Sequence, residues 1–312
     1  MRSMKWAMSL AAGMLVAAAP MVAEAPVQAG HGEAVVTVMP KKAHEGHVKI
    51  LPEDLQVKVN GARSSVTGWE PLRGASGALE VVVLIDGSAR ADLGAQLGDM
   101  ANFLHGLPAD AKAGVAYMEN GRAVMQGPLS SDHAAVAKGL RLPSGIPGSS
   151  ASPYFCLSEL ANHWPSKDMT ARREVVMITN GVDNYGTPGD MNDPYVNASI
   201  RDAVKAGLVV YSIYWNNRGF MSGGGGALLG QSLMQQVTDA TGGATYAIGS
   251  MNPVSMQPYF EDIALRLANQ YRLSFDSGLK GKPEVKTMAL RVGGPAAKVV
   301  APNQVYVRRV AE

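Results

Sequence analysis

The chain has 312 residues and a formal net charge of +2. That is length enough for one large domain or two smaller ones. So small a net charge gives no whole-chain electrostatic case for nucleic acid or an anionic membrane as partner.

Arg2 and Lys5 precede an apolar run from Trp6 to Ala19, and small residues follow up to Ala29. This is the order of a secretory signal peptide, so residues 1–29 are expected to be removed on export. Cleavage after Val27-Gln28-Ala29 gives a mature start at Gly30; Ala23-Glu24-Ala25 also fits, but Pro26 would follow that cut. The alternative is a single membrane anchor, for which the apolar run is short. The mature chain is expected to be exported, periplasmic or secreted, with no membrane span. Cys156 is the only cysteine. It cannot form an internal disulfide, and within "YFCLSEL" it reads as a buried core thiol.

Residues 30–76 carry short alternating runs, Val35–Thr37, Val48–Ile50, Gln56–Val59 and Ser65–Trp69, with Asn60-Gly61 as a hairpin turn. This predicts an N-terminal β segment. From Leu79 the pattern changes. Val81–Ile85 is a continuous apolar run, as in a parallel strand buried on both faces. Leu93, Leu97, Met100, Ala101 and Leu104 then fall on one helical face. Strands follow at Ala113–Met118, Ala123–Gln126, Val175–Thr179, Leu208–Ile213 and Thr245–Ala247, and helices at Ser131–Leu140, Tyr154–His163, Tyr195–Ala206, Ser232–Ala240 and Val254–Asn269. The alternation predicts an α/β domain over 77–270, with a mostly parallel sheet covered on both faces. "GFMSGGGGALLG" (Gly219–Gly230) reads as a flexible surface loop, in which Gly223–Gly226 could close over the domain's upper face. Residues 271–312 return to short alternating strands. The two β segments are expected to pair as a small β-sandwich, with the α/β domain inserted between them.

In an open α/β sheet, ligands sit beyond the carboxyl ends of the strands. Three such places carry polar residues: Asp86-Gly87-Ser88-Ala89-Arg90; the hydroxyl cluster Ser149, Ser150, Ser152; and Thr179, Asn180, Asp183. "DGSAR" after an apolar strand, "GSSASPYFCLSEL" and "VVMITNGVDN", in this order, resemble a von Willebrand factor A-type domain. From Val35 to Val307 the chain is similar to exported bacterial "VWFA-related" proteins, on "LPEDLQVKVNGARSSVTGWEPL", "ATGGATYAIGS" and "LRLANQYRLSF". The resemblance implies a Rossmann-like fold and a non-enzymatic adhesion or interaction role. It also implies a metal-ion-dependent adhesion site of pattern D-x-S-x-S, a distant Thr and an Asp in a T-D-G-like turn.

Here that site is degenerate. Asp86 and Ser88 meet its first two positions, but Arg90 takes the last Ser and Asn180 the late Asp, with Asp183 three residues on. The hydroxyl falls within Ser149–Ser152. Losing one carboxylate and gaining one guanidinium shifts the site by two formal charges, those of the divalent ion itself. The Arg90 guanidinium is therefore expected to pair with Asp86 in the ion's place; the plainer reading leaves Arg90 in solvent. Asp86, Ser88, Arg90, Ser150, Asn180 and Asp183 are the expected partner-binding residues, with no cofactor. The alternative is a Mg site held by Asp86, Ser88, Ser150 and Asp183. The partner is expected to be a protein of the cell envelope or outside the cell, not nucleic acid.

Other motifs argue less. "HEGH" (His44–His47), with His31 upstream, lacks a fourth zinc ligand and reads as a solvated turn. No G-x-S-x-G elbow accompanies Ser88, which leaves hydrolysis the least supported reading. "GGGG" lacks the Lys-Ser/Thr of a phosphate loop, "GTPGDMNDP" (Gly186–Pro194) reads as a helix-capping loop, and Asn197-Ala198-Ser199 is a sequon at a helix start.

Overall fold

The structure, a computed structural model, describes residues 30–40, 50–73, 77–89, 91–146, 149–186, 190–217, 224–278, 282–293 and 297–309. Arg90, the leading 29 residues and the His44–His47 motif lie outside them.

The central sheet has six strands: β4 (Leu79–Asp86), β5 (Lys112–Glu119), β6 (Arg122–Met125), β7 (Arg172–Thr179), β8 (Leu208–Tyr214) and β9 (Ala244–Tyr246). Their spatial order is β6-β5-β4-β7-β8-β9, all parallel except the β6 edge. This is the doubly wound order, which reverses direction between β4 and β7. β4, β7 and β8 are buried throughout, because helices cover both faces. Val81, Val83 and Ile85 pack with α1 (Leu97–His105) and α6 (Gln257–Leu267). Val82 and Leu84 pack on the other face with α3 (Pro153–Asn162), α4 (Pro194–Ala206) and α5 (Gly224–Thr241). The arrangement is the α/β fold, with a mostly parallel sheet covered on both faces, that the sequence pattern predicts.

Local chemistry sets the helix ends. Ser152 Oγ accepts the Tyr154 N–H and Asp193 Oδ1 those of Tyr195 and Val196, while Gly207 closes α4 at φ 72°. The helix expected over Ser131–Leu140 is shorter, α2 (His133–Ala137), with Asp132 accepting the Ala135 N–H.

The glycine-rich segment departs from expectation. Residues 224–230 are the first turns of α5 rather than a loop. Leu233, Met234, Val237 and Ala240 bury the same helix further on, and tertiary packing overrides glycine's poor propensity. Gly230 is there because α5 lies against the turn after β7: a Cβ would sit 2.1 Å from the Asn180 carbonyl oxygen. Gly223 itself lies outside the described residues.

The β material from the two chain ends is not a sandwich of two layers. β1 (Gly30–Pro40), β2 (Leu55–Val59), β3 (Ala62–Pro71), β10 (Gln270–Asp276), β11 (Glu284–Val292) and β13 (Gln304–Arg309) form an antiparallel ring. β12 (Ala297–Val300) adds to the far end of β1. The reason is the length of β1. It pairs with β10 along residues 31–37 and with β13 along 30–32, so the sheet closes on itself. A closed barrel leaves no free edge in that ring. Val36, Val57, Val59, Leu273 and Phe275 fill it. The Phe275 ring lies so close to Gly32 that a Cβ there would meet it at 2.5 Å. Trp69 stacks on Tyr271 at 4.6 Å at the edge of this core. The barrel sits at the foot of the α/β sheet, where α4 touches β11 and β13, and α6 touches β1. No helix among the described residues is long and apolar enough to cross a membrane.

Candidate functional site

Asp86 ends β4 beside the tip of β7, where the strand order reverses. Its carboxylate is 1% exposed, and four hydrogen bonds hold it. Oδ1 accepts the Ser88 backbone N–H at 2.9 Å and the Ser88 hydroxyl at 2.7 Å. Oδ2 accepts the Thr179 hydroxyl at 2.8 Å and the Asn217 side-chain amide at 3.2 Å. The same Asn217 nitrogen donates to Ser88 Oγ at 3.1 Å. Asn217 thus bridges the two residues that open the adhesion-site pattern. Its own Oδ1 is buried and has no hydrogen-bond partner among the described residues. Buried carboxylates persist where donors surround them in this way.

The turn that carries Ser88 depends on Gly87, whose N–H reaches the Met118 carbonyl at 3.2 Å; a Cβ there would meet that oxygen at 2.5 Å. Above it, Ser144 Oγ donates to the Gly87 carbonyl at 3.0 Å. Arg141 fixes that segment: its guanidinium lies 4.1 Å over the Tyr117 ring and reaches Glu119 at 2.6 Å.

The other expected residues are arranged around this centre. Ser150 is buried, and its carbonyl ties the turn to Gly121 N at 3.1 Å and to Cys156 Sγ at 3.4 Å. Ser152 caps α3, and Ser149 Oγ is buried without a partner. Between them Ala151 holds φ at 62°, a strained left-handed conformation for a residue with a Cβ. Asn180 Oδ1 accepts the Val182 N–H at 3.0 Å, so its amide shapes the turn. Asp183 Oδ1 accepts the Tyr185 N–H at 2.8 Å, and its Oδ2 is buried with no hydrogen bond of ordinary geometry among the described residues, near the Ser152 hydroxyl and the Gly186 N–H. Burial raises the Asp183 pKa; the Tyr185 N–H opposes this and the Asp193 carboxylate adds to it. No described hydrogen bond joins Asp183 or Asn180 to Asp86.

Among the described residues the hydrogen-bond partners of Asp86 are therefore Ser88, Thr179 and Asn217. Asn217 escapes the motif because the motif ends at β7. The signal was nonetheless present: Asn216-Asn217 follows the next buried strand, β8, at the same end of the sheet. Asn216 is held by Asn252 Oδ1 at 2.5 Å and the Ser250 carbonyl at 2.8 Å.

As a divalent site, the donors in contact are one carboxylate and two hydroxyls, with an amide N–H aimed at the first two. That set is poor for Mg, which wants hard, anionic oxygen ligands. Among the described residues no group of three or more His, Cys, Asp or Glu side chains could hold a metal ion.

No family model matches this sequence, and no curated protein matches it. Among solved structures, it is similar to the conserved hypothetical protein BatB from Bacteroides thetaiotaomicron, at 14% identity and TM-score 0.44, over 61% of this chain and 98% of that one. It is similar to the open conformation of the pilus adhesin SpaC from Lactobacillus rhamnosus GG, at 11% identity and TM-score 0.44, over 86% of this chain and about half (49%) of that one. A third is the SpRpn10 VWA domain, at 13% identity and TM-score 0.38, over 59% of this chain and 95% of that one.

Proposed function

We propose that this chain is an exported, non-enzymatic protein-interaction module. It engages a partner of the cell envelope or exterior through the upper face of its α/β domain, without a divalent ion. The observation that carries this reading is a crown of exposed apolar side chains around the buried Asp86 centre. Leu142 and Ile146 stand on the segment after β6, Tyr185 after β7, and Ile248, Met251 and Val254 after β9; Val254 is 99% exposed. Single exposed apolar residues are ordinary, but six in the loops at one end of a domain mark a contact surface. The polar centre beneath supports the loops. Ser88, Thr179 and Asn217 donate to the Asp86 carboxylate, and Arg90 lies two residues after Ser88 in the sequence.

The test is photo-crosslinking. A photoreactive phenylalanine is placed at 146, 251 or 254, and as controls at Val124 on β6 and Leu265 on α6, which are also exposed. In native envelope extract, one defined protein is expected to crosslink from the first set and not from the controls, with EDTA making no difference. Equal labelling from the controls overturns the reading. Loss of labelling with EDTA favours the divalent alternative, in which Asp86, Ser88, Ser150 and Asp183 hold a cation through waters.

A further inference from the structure

We propose that the cleft between the barrel and the foot of the α/β sheet binds a small organic carboxylate with an apolar body. The cleft has a volume of about 280 Å³ and lies at the opposite end of β7 from Asp86. Its charged lining is four arginines, Arg172, Arg173, Arg272 and Arg308, with His31 and a single carboxylate, Glu33. Four arginines against one carboxylate give the cleft a cationic lining, although Arg172 and Arg173, successive residues of β7, stand on opposite faces of the sheet.

Those arginines are held by neutral groups. Arg172 Nη1 donates to the Leu267 carbonyl at 2.7 Å and to Gln270 Oε1. Arg173 Nη2 reaches the Asp168 carbonyl at 3.1 Å, and Arg272 Nη2 the Thr170 carbonyl at 3.0 Å. Arg308 lies 5.9 Å over the Tyr306 ring. Among the described residues none of the four makes an ion pair with a carboxylate. Arg172 and Arg173 are each only 7% exposed, and the Nε of each is buried with no hydrogen-bond partner. Glu174, two residues along β7 from Arg172, does not supply the missing charge at neutral pH, because burial pushes its carboxyl up to about 8. A buried cation without a counter-charge is costly, and a guanidinium presents five donors that match a carboxylate in pairs.

The remaining walls are mixed, apolar at Leu72, Ala171, Ala206, Leu208 and Val209 and polar at Thr170, Thr241, Gln304 and Tyr306. The volume is at the lower edge of small-molecule sites, roughly 300–1,000 Å³. It is the room of about nine waters at ~30 Å³ each. That excludes a folded partner or a nucleic acid strand, and it suits one acid head on a short hydrocarbon or aromatic body. This site is independent of the upper-face reading, since none of its residues lies near Asp86.

The test is isothermal calorimetry on the purified full chain, with acetate, hexanoate and benzoate, and with inorganic phosphate and hexylamine as controls. Hexanoate or benzoate is expected to bind at least about tenfold more tightly than acetate, with phosphate weaker than either and no heat from the amine. Arg272→Gln is expected to weaken hexanoate about tenfold, and Ala206→Phe, which fills the cleft without touching its charge, to abolish binding. Arg308→Gln, on an exposed side chain, covers the case in which Arg272→Gln fails to melt cooperatively. The proposal is overturned if no carboxylate binds at millimolar concentration, if phosphate binds as well as hexanoate, or if neither an arginine variant nor Ala206→Phe changes the affinity.

Discussion

Glu174 lies in the middle of the sheet, paired with Val81 on one side and Val209 on the other, and it is fully buried. Among the described residues neither carboxyl oxygen has a hydrogen bond of ordinary geometry, and the Gln270 amide is the nearby donor. Burial pushes the group from 4.5 up to about 8, against the pull of the Arg172 cation and the nearby Gln270 amide. The neutral acid is thus the folded form, and the unfolded chain loses its proton first. Between pH 4.5 and pH 8 the native state binds the extra proton, so stability falls as pH rises, by about 1.4 kcal/mol per unit. The whole span costs on the order of 5 kcal/mol, fully present above pH 8 and absent below pH 4.5. Glu174→Gln keeps the shape and removes the ionisation. Urea unfolding followed by tryptophan fluorescence at pH 5, 6, 7 and 8 is expected to show the variant gaining on the parent at each step. The gain should reach roughly 4 kcal/mol at pH 8, a midpoint difference of at least about 1 M urea. Titrations elsewhere are common to both proteins and cancel in the difference. A difference that does not change from pH 5 to pH 8 would refute the reasoning, because Glu174 would then ionise alike in both states.

Three further outcomes follow from particular contacts. Asn217→Asp sets a second carboxylate against Asp86; the melting temperature is expected to fall in EDTA and to recover with millimolar Mg, as differential scanning calorimetry would show, and an unchanged melt in EDTA would mean that Asn217 does not bridge Asp86 and Ser88. Gly230→Ala drives a Cβ into the Asn180 carbonyl and is expected to cost about 1–3 kcal/mol in denaturant unfolding, whereas Gly98→Ala, with open space at its Cβ, serves as the control and should cost nothing comparable. Cys156 is wholly buried, and burial raises its thiol pKa. Labelling by a disulfide reagent is therefore expected only as fast as the domain opens, and prompt stoichiometric reaction of the native protein would contradict that packing.

The central sheet was readable because burial on both faces leaves a pattern no other element shares. Val81–Ile85, Val175–Ile178 and Leu208–Tyr211 are unbroken apolar runs between helical stretches, and they lie in β4, β7 and β8. The barrel was less readable. Short alternating strands say that one face is buried, but not whether that face meets a second sheet or its own continuation. What decides is the length of β1, and residues 30–34, "GHGEA", carry no strand signal of their own. They are extended because β10 and β13 take their backbone groups on either side. The start of α5 failed for the same reason in reverse: four glycines argue against a helix locally, and only the close approach of Gly230 to Asn180 shows why small residues were needed there.

At the tip of β4, the sequence pattern singled out Asp86 and Ser88 but not Asn217, which hydrogen-bonds to both. A motif lists residues by their spacing along the chain, whereas a buried carboxylate is satisfied by whatever the sheet brings beside it. Asp86 and Asn217 are 131 positions apart, and they meet because β4 and β8 flank β7 and all three end at the same face. The same topology explains why the late Asp position could become Asn180 without leaving Asp86 bare. Its charge is met by the Thr179 hydroxyl one residue earlier and by an amide from the next strand. Donors from three elements thus surround Asp86, and the exposed apolar loops above it are tied down by contacts of the chain itself. They rest on Ser144 at Gly87, on Arg141 over Tyr117, and on Asn216 against Ser250 and Asn252.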